Sequence, residues 1–150
     1  MLLAAIVAVP VAVWAAGTTN TYNGNVDRQR AKFRRTSIVT SSTAWTDVPG
    51  FAVTICAVNE ASATLSVNLK GAAVSFRVLR GDGTVWQPGP ARFDPSGFQS
   101  FSYTFVTNVG SFGADDHHSL RVQWRSATGG SATMTRGDLN VLYERGLACS

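Results

Sequence analysis

Apolar side chains recur at every second position in six separate stretches of this chain. Phe51, Val53, Ile55 and Ala57 form one set, and Ala63, Leu65, Val67 and Leu69 another. Val74, Phe76 and Val78 follow, then Phe101, Tyr103 and Phe105, then Leu120, Val122 and Trp124, then Leu139, Val141 and Tyr143. A period of two puts each set on one face of an extended strand, which makes each a half-buried strand. Residues 37–40, 84–87 and 132–135 are shorter candidates. Turn chemistry separates the sets. Pro49-Gly50 ends a loop, Gly81-Asp-Gly83 and Gly129-Gly130 signal tight hairpins, and Gln87-Pro-Gly-Pro90 and Asp94-Pro-Ser-Gly97 bracket a longer connection. No ten-residue window carries a capped helical stripe. The pattern predicts an all-β fold of about eight or nine strands, an antiparallel two-sheet, jelly-roll-like sandwich with an N-terminal extended arm.

The 150 residues fit one domain. The expected division is residues 1–36 as apolar arm, polar spacer and basic hinge, and residues 37–150 as the β-sandwich domain. A body of about 115 residues buries roughly two thirds of its unfolded surface, enough for its own core. With 45% apolar and 15% charged residues the composition is not that of a disordered chain.

Charge is distributed unevenly. The segment Asp27-Arg-Gln-Arg-Ala-Lys-Phe-Arg-Arg35 holds five of the 13 Lys/Arg and one of the nine Asp/Glu, which leaves eight of each sign elsewhere. The whole net charge of +4 therefore sits in this segment. A pI near 9.6 would ordinarily suggest nucleic acid or another anionic partner. Here the remainder of the chain is neutral by count, and any anionic partner is expected to be engaged by the segment. In an extended strand Arg28, Arg30, Lys32 and Arg34 would share one side, with Gln29, Ala31, Phe33 and Arg35 on the other. Two readings stand: a solvated polar linker, or an electrostatic clamp on an acidic protein surface, nucleic acid or lipid headgroups in which Arg28, Arg30, Lys32, Phe33, Arg34 and Arg35 bind the partner. One stacking residue, Phe33, is thin support for nucleic acid.

Residues 1–16 are apolar, and three readings of them stand. An attachment arm would bury Leu2, Leu3, Ile6, Val7, Val9, Val11, Val13 and Trp14 against a partner, because so apolar a segment does not stay solvated. A signal peptide fits the small-residue pattern Val13-Trp-Ala15, against which no Lys or Arg precedes the run and a strong cationic cluster follows it. A membrane anchor is not favoured, since the run is short and Pro10 interrupts it. Residues 18–25 read as a polar spacer with an Asn-Gly turn at Asn23 and Gly24.

The two cysteines, Cys56 and Cys149, form no C-x-x-C pair, so no zinc site is expected. They are either free thiols or a disulfide tying the tail to the body, the latter requiring an oxidising compartment.

Four stretches carry a resemblance: Thr43-Ala-Trp-Thr-Asp-Val-Pro-Gly50, Phe76-Arg-Val-Leu-Arg80, Leu120-Arg-Val-Gln-Trp-Arg125 and Leu139-Asn-Val-Leu-Tyr-Glu144. Together, over residues 37–144, they resemble β-sandwich domains of secreted bacterial and phage appendage proteins. They are similar to the jelly roll of the complement globular head and of tumour-necrosis-factor-type ligands. The resemblance implies a non-enzymatic domain, often trimeric, used in adhesion, receptor contact or particle decoration.

Chemistry-bearing motifs are scarce. The chain has no G-x-S-x-G, no H-E-x-x-H and no phosphate-binding glycine loop. No catalytic residue, metal site or cofactor is expected. Asp115-Asp-His-His118 gathers four metal-capable side chains, but neighbours on an extended chain alternate in direction, so the cluster reads first as a polar approach to the strand at 119–125 and second as a metal or pH-sensitive contact. Trp124 reads as core, whereas Trp45 and Trp86 are either packing residues or a platform for sugars. The combined expectation is a structural or adhesive subunit, a capsid-decoration or tail-fibre type of virion protein docked through its N-terminal arm and forming a homo-oligomer. Its location would be virion or extracellular. The alternative is a secreted bacterial β-sandwich binding domain with a cleaved signal peptide.

Overall fold

A computed structural model describes residues 19–23, 27–107 and 112–145. The strands are β1 (Thr19–Asn23), β2 (Asp27–Arg34), β3 (Ile38–Thr40), β4 (Thr46–Gly71), β5 (Val74–Arg80), β6 (Ala91–Phe93), β7 (Gln99–Val106), β8 (Phe112–Ser126) and β9 (Ala132–Arg145). The fold is all-β, and all the strand pairs are antiparallel. Two sheets pack as a sandwich, as the alternation predicts.

One strand belongs to both sheets. The first half of β4 pairs with β8, which pairs with β5 and then β6. The second half pairs with β9 on one side and β7 on the other. The register breaks between Ala57 and Ala61, where the strand passes from one sheet to the next. On the far side of β9 lie β2 and β3, and β1 pairs with β2. The opposite side of the sandwich is stitched by residues 85–87. There the Trp86 amide donates to the Val78 carbonyl, and Gln87 exchanges two backbone hydrogen bonds with Val106.

The inward positions make one core. Phe51, Ile55, Leu65, Leu69, Val74, Phe76, Val78, Phe105, Leu120, Val122, Leu139 and Val141 are all buried. Phe76 touches both Trp124 and Phe93, at ring-centroid distances of 6.0 and 5.7 Å. β9 crosses this core closely at Gly137, where a Cβ would sit 2.8 Å from the Phe51 ring and 3.0 Å from the Met134 sulfur.

Three local readings are corrected. Pro49-Gly50 does not end a loop. It lies inside β4 as an irregularity, with Gly50 at φ +85°. Proline is tolerated there because it falls in the register irregularity between Asp47 and Ala52, and among the described residues the first half of β4 pairs with β8 on one side. Residues 84–87 make isolated bridges, not a strand. Residues 132–135 and 139–143 are one strand, β9.

Candidate interaction surface

The basic segment is strand β2, and its pairing with β9 fixes where its cations go. Arg28 lies opposite Tyr143, Arg30 opposite Val141, Lys32 opposite Leu139 and Arg34 opposite Gly137. Tyr143, Val141 and Leu139 are core residues, and side chains directly opposite share a face. The cation row thus continues the inner face of the sheet beyond the point where the other sheet covers it. Arg30 and Lys32 share a shallow cleft with Ala52 and Thr54 of β4 and Ser119 of β8. Arg34 donates from Nη1 to the Pro49 carbonyl at 3.2 Å, satisfying an acceptor on the open edge of β4. The Nε atoms of Arg30 and Arg34 are shielded from solvent without a hydrogen-bond partner. Among the described residues no carboxylate forms an ion pair with Arg30, Lys32 or Arg34. Phe33 belongs to the opposite face, with the Arg35 guanidinium 6.0 Å from its ring centroid. The side chain of Arg28 lies outside the described residues.

A second group of cations appears only in three dimensions. Arg121, Gln123 and Arg125 alternate with the core residues of β8, so they face outward, as does Arg77 of β5, whose Cα partner is Gln123. Arg77 donates from Nε and Nη2 to Gln123 Oε1 at 3.0 and 2.7 Å. Gln123 Nε2 donates to Asp47 Oδ1 at 2.7 Å, and Arg121 Nη1 stands 3.7 Å from Asp47 Oδ2. Trp45 holds the group together: the Arg77 and Arg125 guanidiniums lie 4.4 and 4.6 Å from its ring centroid. Burial, and then the positive charges of Arg125 and Arg121, hold the Arg77 guanidinium below its ordinary pKa. Arg80 and Arg92 differ, each having its own carboxylate two residues on, at Asp82 and Asp94. The Arg121 Cα partner in β4 is Ala52, which also lines the Arg30/Lys32 cleft. The β2 row and the arginine group therefore border one another.

The outer face of the other sheet is built differently. Thr64 and Thr104 hydroxyls meet at 2.9 Å, Ser66 and Ser102 at 3.0 Å, and Ser100 donates to Asn68 at 2.8 Å. This is a neutral hydroxyl ladder across β4 and β7. Beside it Asp138 has an Oδ1 shielded from solvent without a hydrogen-bond partner. Burial pushes its carboxyl pKa up, partly opposed by Arg136.

The remaining predicted residues are scattered. Trp86 is 2% exposed and is core, so the two-tryptophan sugar platform does not form. The Trp45 ring is occupied by guanidinium groups instead. His117 and His118 belong to β8, opposite Cys56 and Ile55, and so point to opposite faces. No group of three or more His, Cys, Asp or Glu among the described residues is placed to hold a metal. Cys56 is disulfide-bonded. Cys149 and the arm residues Leu2 to Trp14 lie outside the described residues.

Fold and surface together define a class: an all-β antiparallel sandwich whose charge is segregated by face. No protein-family model matches the chain. No curated protein matches it in sequence. Among solved structures it is similar to a chain described under "Bacillus endospore appendages form a novel family of disulfide-linked pili". The identity is 14%, the TM-score 0.45, and the match covers 92% of this chain and 100% of that one. A likeness of that size carries nothing over to this chain.

Proposed function

We propose that this chain is a non-enzymatic structural or adhesive subunit of a larger protein assembly. Its concrete form is a virion accessory protein, of the capsid-decoration or tail-fibre kind, docked through the N-terminal arm. The observation that carries the reading is the cation row of β2. Arg30, Lys32 and Arg34 are held in register by β9 and have no ion-pairing carboxylate among the described residues. A row of like charges is unfavourable to the fold alone and suited to an acidic protein surface. The apolar residues 1–16 would supply the hydrophobic part of the same attachment. Homo-oligomerisation, including the trimer implied by similarity to the complement head and tumour-necrosis-factor-type ligands, stands on the sequence motifs.

The Cys56 disulfide favours a second reading, a secreted bacterial β-sandwich binding domain with a cleaved signal peptide, because disulfides persist in oxidising compartments. Mass spectrometry of the native protein separates the two. An N-terminus at Met1 or Leu2 supports the arm, and one at Ala16 or Gly17 supports secretion. Incorporation into the native assembly by a chain lacking residues 1–18, at the level of the full chain, would refute arm docking. That deletion stops short of β1, so the sheet is left intact.

A further inference from the structure

On the adhesive reading above, we propose that the outer face of β7, β4 and β9 binds a chain of neutral sugars. The ladder hydroxyls hold the chain along β4, and Asp138 and Arg136 hold it from the β9 side.

Strand register makes this face a grid. The ladder pairs Thr64 with Thr104, Ser66 with Ser102 and Asn68 with Ser100. β9 extends each rung by one polar residue: Asn140 is the Cα partner of Thr64, Asp138 of Ser66 and Arg136 of Asn68. Successive rungs are two residues apart, so the grid runs for roughly 13 Å along the strand. Its side chains point outward, because the residues between them, Ala63, Leu65, Val67, Leu139 and Val141, are core. Two rungs border a hollow of about 370 Å³, lined by the side chains of Ser66, Asn68, Ser100, Ser102, Arg136 and Asp138.

The groups around the hollow select the ligand. Asp138 and Arg136 form no ion pair with each other, and Asp138 Oδ1 has no hydrogen-bond partner among the described residues. Burial of this carboxylate opposes its charged form, so it costs the fold and gains from an incoming donor. One acid and one base cancel, so a polymer of like charges meets repulsion as well as attraction. A single carboxylate beside a guanidinium is also a poor cation site. A sugar hydroxyl both donates and accepts, so adjacent hydroxyls can donate to Asp138 and accept from Arg136. In each hydroxyl pair of the ladder one oxygen donates to the other, which leaves the acceptor's own proton for a ligand. Phe33 of β2 is the Cα partner of Asp138 on its other side, which adds an aromatic ring beside the carboxylate. The polar grid ends at the next rung, where Leu142 and Val106 flank Ser62. Two apolar residues at one end can support the C–H face of a sugar ring, but they are not the central apolar patch of a protein interface.

Retention of the full chain on immobilised neutral polysaccharides built from glucose, mannose, galactose, xylose and N-acetylglucosamine tests this. Wild type should be held by at least one of them, and equally at about 0.1 M and 1 M salt, because no net charge is engaged. Arg136→Ala removes a donor fork and Ser102→Tyr fills the hollow. Each should weaken retention about tenfold or more, as should Asp138→Ala. Circular dichroism establishes folding, and the two exposed positions, Arg136 and Ser102, carry the test if Asp138→Ala does not fold. No retention on any of the polymers, retention abolished by salt, or folded variants held as wild type is would overturn the proposal. All three variants keep the β2 row and residues 1–18, so loss of sugar binding and loss of docking are read separately.

Discussion

The Arg77 guanidinium lies 4.4 Å from the centroid of the Trp45 ring, and Arg125 shares the same ring at 4.6 Å. Two cations that would otherwise repel are thus fixed on one aromatic group at the surface. Trp45→Ala should leave the fold intact and lower stability by about 1–2 kcal/mol, the size of cation–π contacts that are partly desolvated. Urea denaturation measures it, and a loss as large as that of a core tryptophan would contradict the surface role.

Trp124 provides that comparison. It is 3% exposed and packs 6.0 Å from Phe76. Trp124→Ala should destabilise by ~3–5 kcal/mol, through lost burial and the cavity left behind. The midpoint of urea unfolding should fall far more than for Trp45→Ala.

Gly137 is set by close approach between β9 and the core. Its missing Cβ leaves room for the Phe51 ring, 2.8 Å from where that carbon would be. Gly137→Ala should destabilise by about 1–3 kcal/mol, since a buried ring must shift or the strand must bow. A thermal midpoint equal to wild type would show that the ring yields freely.

The pH dependence at Asp138 has a definite sign. Burial raises its pKa in the folded state, so folding favours the protonated form. Its contribution is fully present below the ordinary carboxylate pKa and is lost as pH rises through the raised value. Asp138→Asn should therefore be more stable than wild type at neutral pH, by less than ~1 kcal/mol because the group is partly solvated. The difference should vanish below about pH 4. Thermal denaturation across pH 3 to 7 tests it, and a gap that widens toward low pH would reverse the assignment.

Much of the fold is legible in sequence because burial obeys the period of the strand. Positions 51, 53, 55 and 57 and positions 63, 65, 67 and 69 are buried as predicted. Their odd phase never slips across residues 58–60, which is the signal that β4 is one strand. The same signal misleads in β9. There Met134 is buried on even phase and Leu139 on odd, because the register skips a residue between Asn68 and Leu69. A bulge thus makes one strand look like two. The β2 row was visible as alternation, whereas the arginine group was not. Arg77 and Arg125 stand on strands whose adjacency depends on sheet order, and counting charges along the chain gives a neutral body. In space that neutral body carries unequal faces.

The most direct measurement is retention of the intact chain on its native assembly across a salt series, wild type against a variant with Arg28, Arg30, Lys32 and Arg34 each changed to Gln. Raising ionic strength from about 0.1 M to 1 M shortens the screening length from ~10 Å to ~3 Å. Wild type should be released progressively as salt rises, and the folded variant should be held weakly even at low salt, with little further change. Equal retention of both chains at every salt concentration would contradict a cationic docking strand.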